Sequence, residues 1–158
     1  MIRRSLMAMV LLATALLAAC SGGPVRRVSE PAASIQQLTV HANGSWSVDL
    51  RLQNYSSIPM RFDRVSLSLE VDGHDAGKLE VAPGVSVGPE SADVVTVPFT
   101  PSAEAKMVLA DTLAGRRSLP YSLKGTANAT PEEAKPRDFD ITGRSTLNPV
   151  PGLDGVLR

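Results

Sequence analysis

Trp46-Ser47-Val48-Asp49-Leu50-Arg51-Leu52 and Val65-Ser66-Leu67-Ser68-Leu69-Glu70-Val71 both alternate apolar with polar residues. A period of two sends all the apolar side chains to one face of an extended chain, so each stretch reads as a strand with one buried and one wet face. Between them, Gln53-Asn54-Tyr55-Ser56-Ser57 is a turn-rich crossing with Pro59 at its edge. Asp72-Gly73-His74-Asp75 then reads as a tight connection, with Gly73 and Gly77 available for positive φ.

Working outward, Leu79 and Val81, then Val95, Val97 and Phe99, supply further short strands, broken by Pro83-Gly84 and Gly88-Pro89. Ser102 to Ala114 changes rhythm. Ala103, Met107, Ala110 and Leu113 or Ala114 recur at helical spacing, Ser102 is placed to cap the N-terminus, and Gly115 to end the helix. Alternation returns at Leu119, Tyr121 and Leu123, and again at Phe139 and Ile141. Ala127 to Pro136 reads as a hairpin loop, and Asn148-Pro149-Val150-Pro151-Gly152 as part of a tail without periodicity. About seven short antiparallel strands at regular spacing, with one short helix, predict a mainly β protein built as a sandwich. With three Phe, two Tyr and one Trp in the chain, its core must be mainly Val and Leu, and Trp46 is the best single anchor. Arg61 and Arg64 are expected near sheet edges, where a charge can block pairing with a further strand.

The N-terminus carries a different message. Arg3 and Arg4 precede an apolar run from Ser5 to Leu17, which ends in Leu17-Ala18-Ala19-Cys20. A basic start, an apolar middle and small residues before a cysteine form a bacterial lipoprotein signal. Cys20 then becomes the lipidated N-terminus, carrying a diacylglycerol and acyl chains such as palmitate. A transmembrane anchor fits less well: the 15 residues from Ser5 to Ala19 span ~22 Å, short of the ~30 Å hydrocarbon core. An ordinary secretory signal is the remaining alternative. Cys20 is the one cysteine of the chain and stands where lipidation requires it. The expected organisation is a signal peptide over 1–19, a lipidated flexible tether over 20–33, a sandwich over 34–146 and an irregular tail over 147–158. Arg26 and Arg27, in the tether, read as solvated residues, with contact to anionic headgroups as the other option.

A family resemblance covers most of the remaining chain. VDLRLQNYSSIPMRFDRVSLSLEVDGHDAG, which follows Ser47 and ends at Gly77, resembles the first half of the late-embryogenesis-abundant type 2 proteins, also called the water-stress-and-hypersensitive-response domain. There a strand ends in an Asn-Pro-Asn-like turn, a Leu or Ile-Pro element follows, and a long strand reaches two glycines. Here Asn54-Tyr55-Ser56 keeps the first Asn and loses the Pro-Asn. Val94-Val95-Thr96-Val97-Pro98-Phe99, Ser118-Leu119-Pro120-Tyr121-Ser122-Leu123-Lys124-Gly125 and Phe139-Asp140-Ile141-Thr142-Gly143 are similar to the family's later strands. The resemblance implies a fibronectin-III/immunoglobulin-like sandwich with one helix and a role in desiccation or other stress. It implies no catalytic residues, and bacterial members are often small envelope lipoproteins.

Chemistry is sparse. Arg3 and Arg4 fall in the signal, so the 16 basic residues of the chain become 14 against 16 acidic after residue 19, a formal −2. That balance argues against a nucleic-acid partner. With Cys20 carrying lipid, no disulfide can form, and the fold must rest on its apolar core. His74 beside Asp72 and Asp75 reads as a solvated turn rather than a cation site, and His41 belongs to another turn. No Gly-x-Ser-x-Gly elbow occurs, and Glu132-Glu133 reads as a loop pair rather than an acid–base couple. Neither metal, cofactor nor enzymatic activity is expected. Asn-x-Ser/Thr at Asn43, Asn54 and Asn128 reads as chance in such a chain. Two functions remain: a protective module binding unfolding clients or lipid surfaces weakly, or an adaptor that accepts a partner strand in an envelope assembly. Ser21, rather than Asp, follows Cys20, which resembles sorting to the periplasmic face of the outer membrane.

Overall fold

A computed structural model describes residues 26–158; Cys20 and the signal segment lie outside the described residues. The elements are β1 (Ala32–Val40), β2 (Trp46–Gln53), β3 (Met60–Val71), β4 (His74–Val81), β5 (Val85–Val87), β6 (Ala92–Phe99), α1 (Ala103–Ala114), β7 (Leu119–Pro131), β8 (Arg137–Leu147) and β9 (Val156–Leu157). They form two antiparallel sheets, ordered β6-β2-β1-β9 and β4-β3-β7-β8, with β5 also beside β3. The two alternating stretches behave as their pattern requires. Trp46, Val48, Leu50 and Leu52 of β2 are buried, as are Val65, Leu67, Leu69 and Val71 of β3, and they meet in one core. The expected β-sandwich with a Val/Leu core and Trp46 within it is the fold observed. Trp46 packs on Phe99 with ring centroids 5.8 Å apart.

Where alternation slips, a bulge explains it. Asp63 is an extra residue on β3: Phe62 pairs with Ala129 and Arg64 with Asn128. Both Phe62 and Val65 therefore point inward although they are three apart. The sheets also touch through a polar bond, since the Ile35 backbone N–H donates to the Tyr121 hydroxyl at 2.9 Å.

Four expectations are corrected. The loop expected over Ala127 to Pro136 is shorter, because β7 continues to Pro131 and buries Ala127 and Ala129. Alanines are small enough to face the core there without raising the local hydropathy. The tail does not fray: β9 pairs with β1 at Thr39 and Leu38, and Leu157 is fully buried. Arg61 and Arg64 lie on β3, an inner strand flanked by β7 on one side and by β4 and β5 on the other. β1 begins at Ala32, inside the range 20–33 expected for the tether.

Helix α1 forms where expected, with a different face inward. Ala105, Leu109 and Thr112 are buried, while Met107 is 67% exposed. The rotation is set at the cap. Ser102 Oγ accepts from the Ala105 N–H at 3.1 Å and donates to the Asp75 carbonyl at 2.7 Å, while the Ser102 N–H donates to the Ala76 carbonyl at 3.0 Å. These bonds tie the first turn to β4 and fix which side of the helix meets the sheet. Ser102→Ala removes both hydroxyl bonds, and the expected loss is about 1–2 kcal/mol, read as a lower urea midpoint at unchanged slope. An unchanged midpoint would show that the cap contributes nothing.

Candidate interaction surface

The candidate residues from the sequence are scattered rather than convergent. His74 Nδ1 lies 2.7 Å from Glu104 Oε1, and Asp75 Oδ1 accepts from the Gly77 N–H at 3.0 Å. Asp72 and Gly73, with φ of 48° and 80°, form the two-residue turn between β3 and β4. His41 Nε2 lies 2.7 Å from Ser47 Oγ. Among the described residues, no three His, Cys, Asp or Glu side chains are grouped to hold a metal. Glu132 and Glu133 are held by an arginine: Arg26 Nη1 lies 2.8 Å from Glu133 Oε2, and Arg26 Nη2 donates to the Glu132 carbonyl at 3.0 Å.

That arginine belongs to the feature that organises one end of the sandwich. Residues 26–29 cross the β2–β3 loop and are bonded to it. The Arg27 N–H donates to Ser57 Oγ at 2.8 Å, the Ser57 N–H donates to the Arg27 carbonyl at 3.0 Å, and the Ser29 N–H donates to Ser56 Oγ at 3.0 Å. The Arg27 guanidinium reaches Glu90 Oε1 at 3.3 Å and the Tyr55 carbonyl at 3.2 Å. Arg26 and Arg27 therefore pair with acids from two loops and are not merely solvated. Such exposed pairs contribute little stability each. What they fix is where the chain enters the domain: beside Tyr55, which is 52% exposed.

Beneath this surface sits Asn54, which is fully buried. Its Nδ2 donates toward the carbonyls of Ile58 at 2.9 Å, Gly88 at 2.9 Å and Val87 at 3.2 Å, and its Oδ1 accepts from the Ser56 N–H at 2.8 Å. The sequence marked Asn54 as a turn residue. Its bracket across two loops was missed, and the available signal was the Asn-x-Ser spacing of an Asx turn. At the opposite end lie α1, the β1–β2 and β3–β4 turns and the returning C-terminus.

The geometry defines a two-sheet antiparallel domain with loop clusters at both ends and one helix on the β6–β7 connection. The family model described as late embryogenesis abundant protein (LEA_2) matches residues 49–143, from within β2 into β8. The chain belongs to that family. No curated protein matches it. Among solved structures it is similar to a crystal structure of a protein from Archaeoglobus fulgidus, at 11% identity over 78% of this chain and 98% of that one, with a TM-score of 0.44. A solution structure of a protein from Arabidopsis thaliana is similar at 14% identity over 85% and 87%, with a TM-score of 0.48. An X-ray structure of a structural-genomics target is similar at 12% identity over 80% and 92%, with a TM-score of 0.47.

Proposed function

We propose that this protein is a lipid-anchored envelope protein, attached through Cys20 at the periplasmic face of the outer membrane. Its late-embryogenesis-abundant domain protects by weak, non-catalytic binding during desiccation or envelope stress. The observation that carries the anchoring is Leu17-Ala18-Ala19-Cys20 behind Arg3 and Arg4. Family membership supports the protective role. The entry of the chain supports the geometry: Arg26 is bonded to one end of the sandwich, six residues after Cys20. Six extended residues reach about 20 Å, so the end bearing Tyr55 faces the bilayer, and the 12 residues of β3 carry the helix end about 40 Å away from it.

The adaptor reading needs an open sheet edge. β4, β6, β8 and β9 stand at the sheet edges, so the edges do not separate the two readings, and family membership is what supports the protective one. Mass spectrometry of the membrane-extracted protein is expected to find an acylated Cys20 at the N-terminus, and Cys20→Ser to abolish the acylated form. An unmodified thiol would end the anchoring proposal. Crosslinking in intact cells is expected to give scattered weak contacts; a single stoichiometric partner would favour the adaptor. A deletion strain that survives drying as well as its parent would end the protective one.

A further inference from the structure

The exposed side of α1 borders a second feature, which neither the fold nor the anchoring explains. Three charged residues, Glu104, Lys106 and Asp111, stand on the helix. Glu104 is held by His74, and Asp111 by the Arg117 guanidinium. Lys106 differs: among the described residues, no carboxylate or other acceptor bonds its ammonium. Its stem runs over Gly44, with Nζ 3.6 Å and Cε 3.7 Å from where a Cβ on that glycine would stand. The missing side chain leaves the approach open.

Beside Lys106 is a crevice of about 230 Å³ between α1 and the β1–β2 turn, lined by Val40, Trp46, Leu109 and Leu113, with Ala110 among its walls. Apart from Lys106, every side chain lining it is apolar. Ala110 also belongs to the exposed line Ala103–Met107–Ala110–Ala114, so the apolar surface continues out of the crevice along the helix. An apolar cavity of ~150 Å³ holds benzene, while drug-sized ligands need ~300 Å³ or more. This space suits a segment of alkyl chain.

We propose that the crevice binds a free aliphatic carboxylate of medium chain length, with its tail along Val40, Ala110 and Leu113, above the buried Trp46, and its head on Lys106 Nζ. Charge selects the occupant. A neutral chain forgoes the ammonium, and a cationic one is repelled by it. Trp46 is the only tryptophan of the chain and lies in the wall, so its emission reports occupancy.

The test uses the full chain in phosphatidylcholine vesicles, titrated with decanoate. The expected result is a saturable change in Trp46 emission, at least tenfold weaker with decanol and absent with decyltrimethylammonium. Lys106→Met keeps the stem and is expected to raise the half-saturation concentration at least tenfold at unchanged melting temperature. Ala110→Leu narrows the space and is expected to weaken binding without touching the charge. Equal responses to the anionic and cationic probes, or unchanged affinity in Lys106→Met, would overturn the proposal. So would a response to phosphatidylglycerol vesicles with none to decanoate, which would make the surface a membrane contact instead.

Discussion

Gly125→Ala is expected to destabilise the domain by more than about 3 kcal/mol and to lower its melting temperature by more than about 10 °C. Gly125 lies on β7 opposite Leu67 of β3, in the middle of the longer pair of strands. A Cβ built on it would lie 2.1 Å from the Ser66 carbonyl oxygen and 3.0 Å from the Leu67 Cα. Both contacts are backbone, so no side-chain rotation relieves them. The strands must part by roughly an ångström, which lengthens ladder hydrogen bonds and opens the core beneath Leu67 and Leu123. With a total stability of about 5–15 kcal/mol for a domain, Gly125→Val is expected to leave no cooperative transition at all. Thermal unfolding followed by circular dichroism measures both. Gly143→Ala is the internal comparison. Its Cβ would meet the Ala33 carbonyl oxygen at 3.0 Å, but β8 is an outer strand and can move. A Gly125→Ala protein melting within about 3 °C of the parent would refute the steric account.

The contrast between strands shows which parts of this fold are legible in a sequence. β2 and the second half of β3 keep an unbroken period of two, and both were readable. β1 buries Ala33, Ile35 and Leu38, with Val40 packed against the same core, and the step from Ile35 to Leu38 is three. The register explains it: Ile35 faces Leu50 and Gln37 faces Asp49, so Gln36 is an extra residue that resets the phase. A bulge erases the periodicity on which strand detection rests. β9 fails for another reason, since a two-residue strand has no period. For α1 the cap and extent were legible because Ser102 acts locally. The inward face was not, because Ala105 and Leu109 compete with Ala103 and Met107 at the same spacing, and bonds to β4 decide between them. At the chain-entry surface, Arg26 and Arg27 looked like solvated charges because their acids lie at Glu90, Glu132 and Glu133, far along the chain.

Asn54 concentrates the second large effect. Its side-chain amide is the donor for three carbonyls, and Ile58 and Val87, which supply two of them, are themselves buried. Asn54→Ala removes this donor from the buried Ile58 and Val87 carbonyls at about 1–3 kcal/mol each, while the Gly88 carbonyl keeps its bond from Ser91 Oγ, so a loss of about 3 kcal/mol is expected. Asn54→Asp is the sharper probe, because shape and the bond accepted from the Ser56 N–H persist while both donors vanish. An ionised carboxylate then faces carbonyl oxygens in a dry site, and only its protonated form can donate a bond. The folded-state pKa of this aspartate must therefore rise above its unfolded value of ~3.9. A raised carboxyl pKa means that the folded state binds the proton more tightly. The variant is thus least destabilised below about pH 4 and loses stability as pH rises toward the raised folded-state value. Urea unfolding at pH 4 and pH 8 is expected to show the gap between variant and parent widening by several kcal/mol at the higher pH. A gap of equal size at both pH values would mean that water reaches the bracket. A variant as stable as the parent at pH 8 would mean that the bracket does not hold the two loops together.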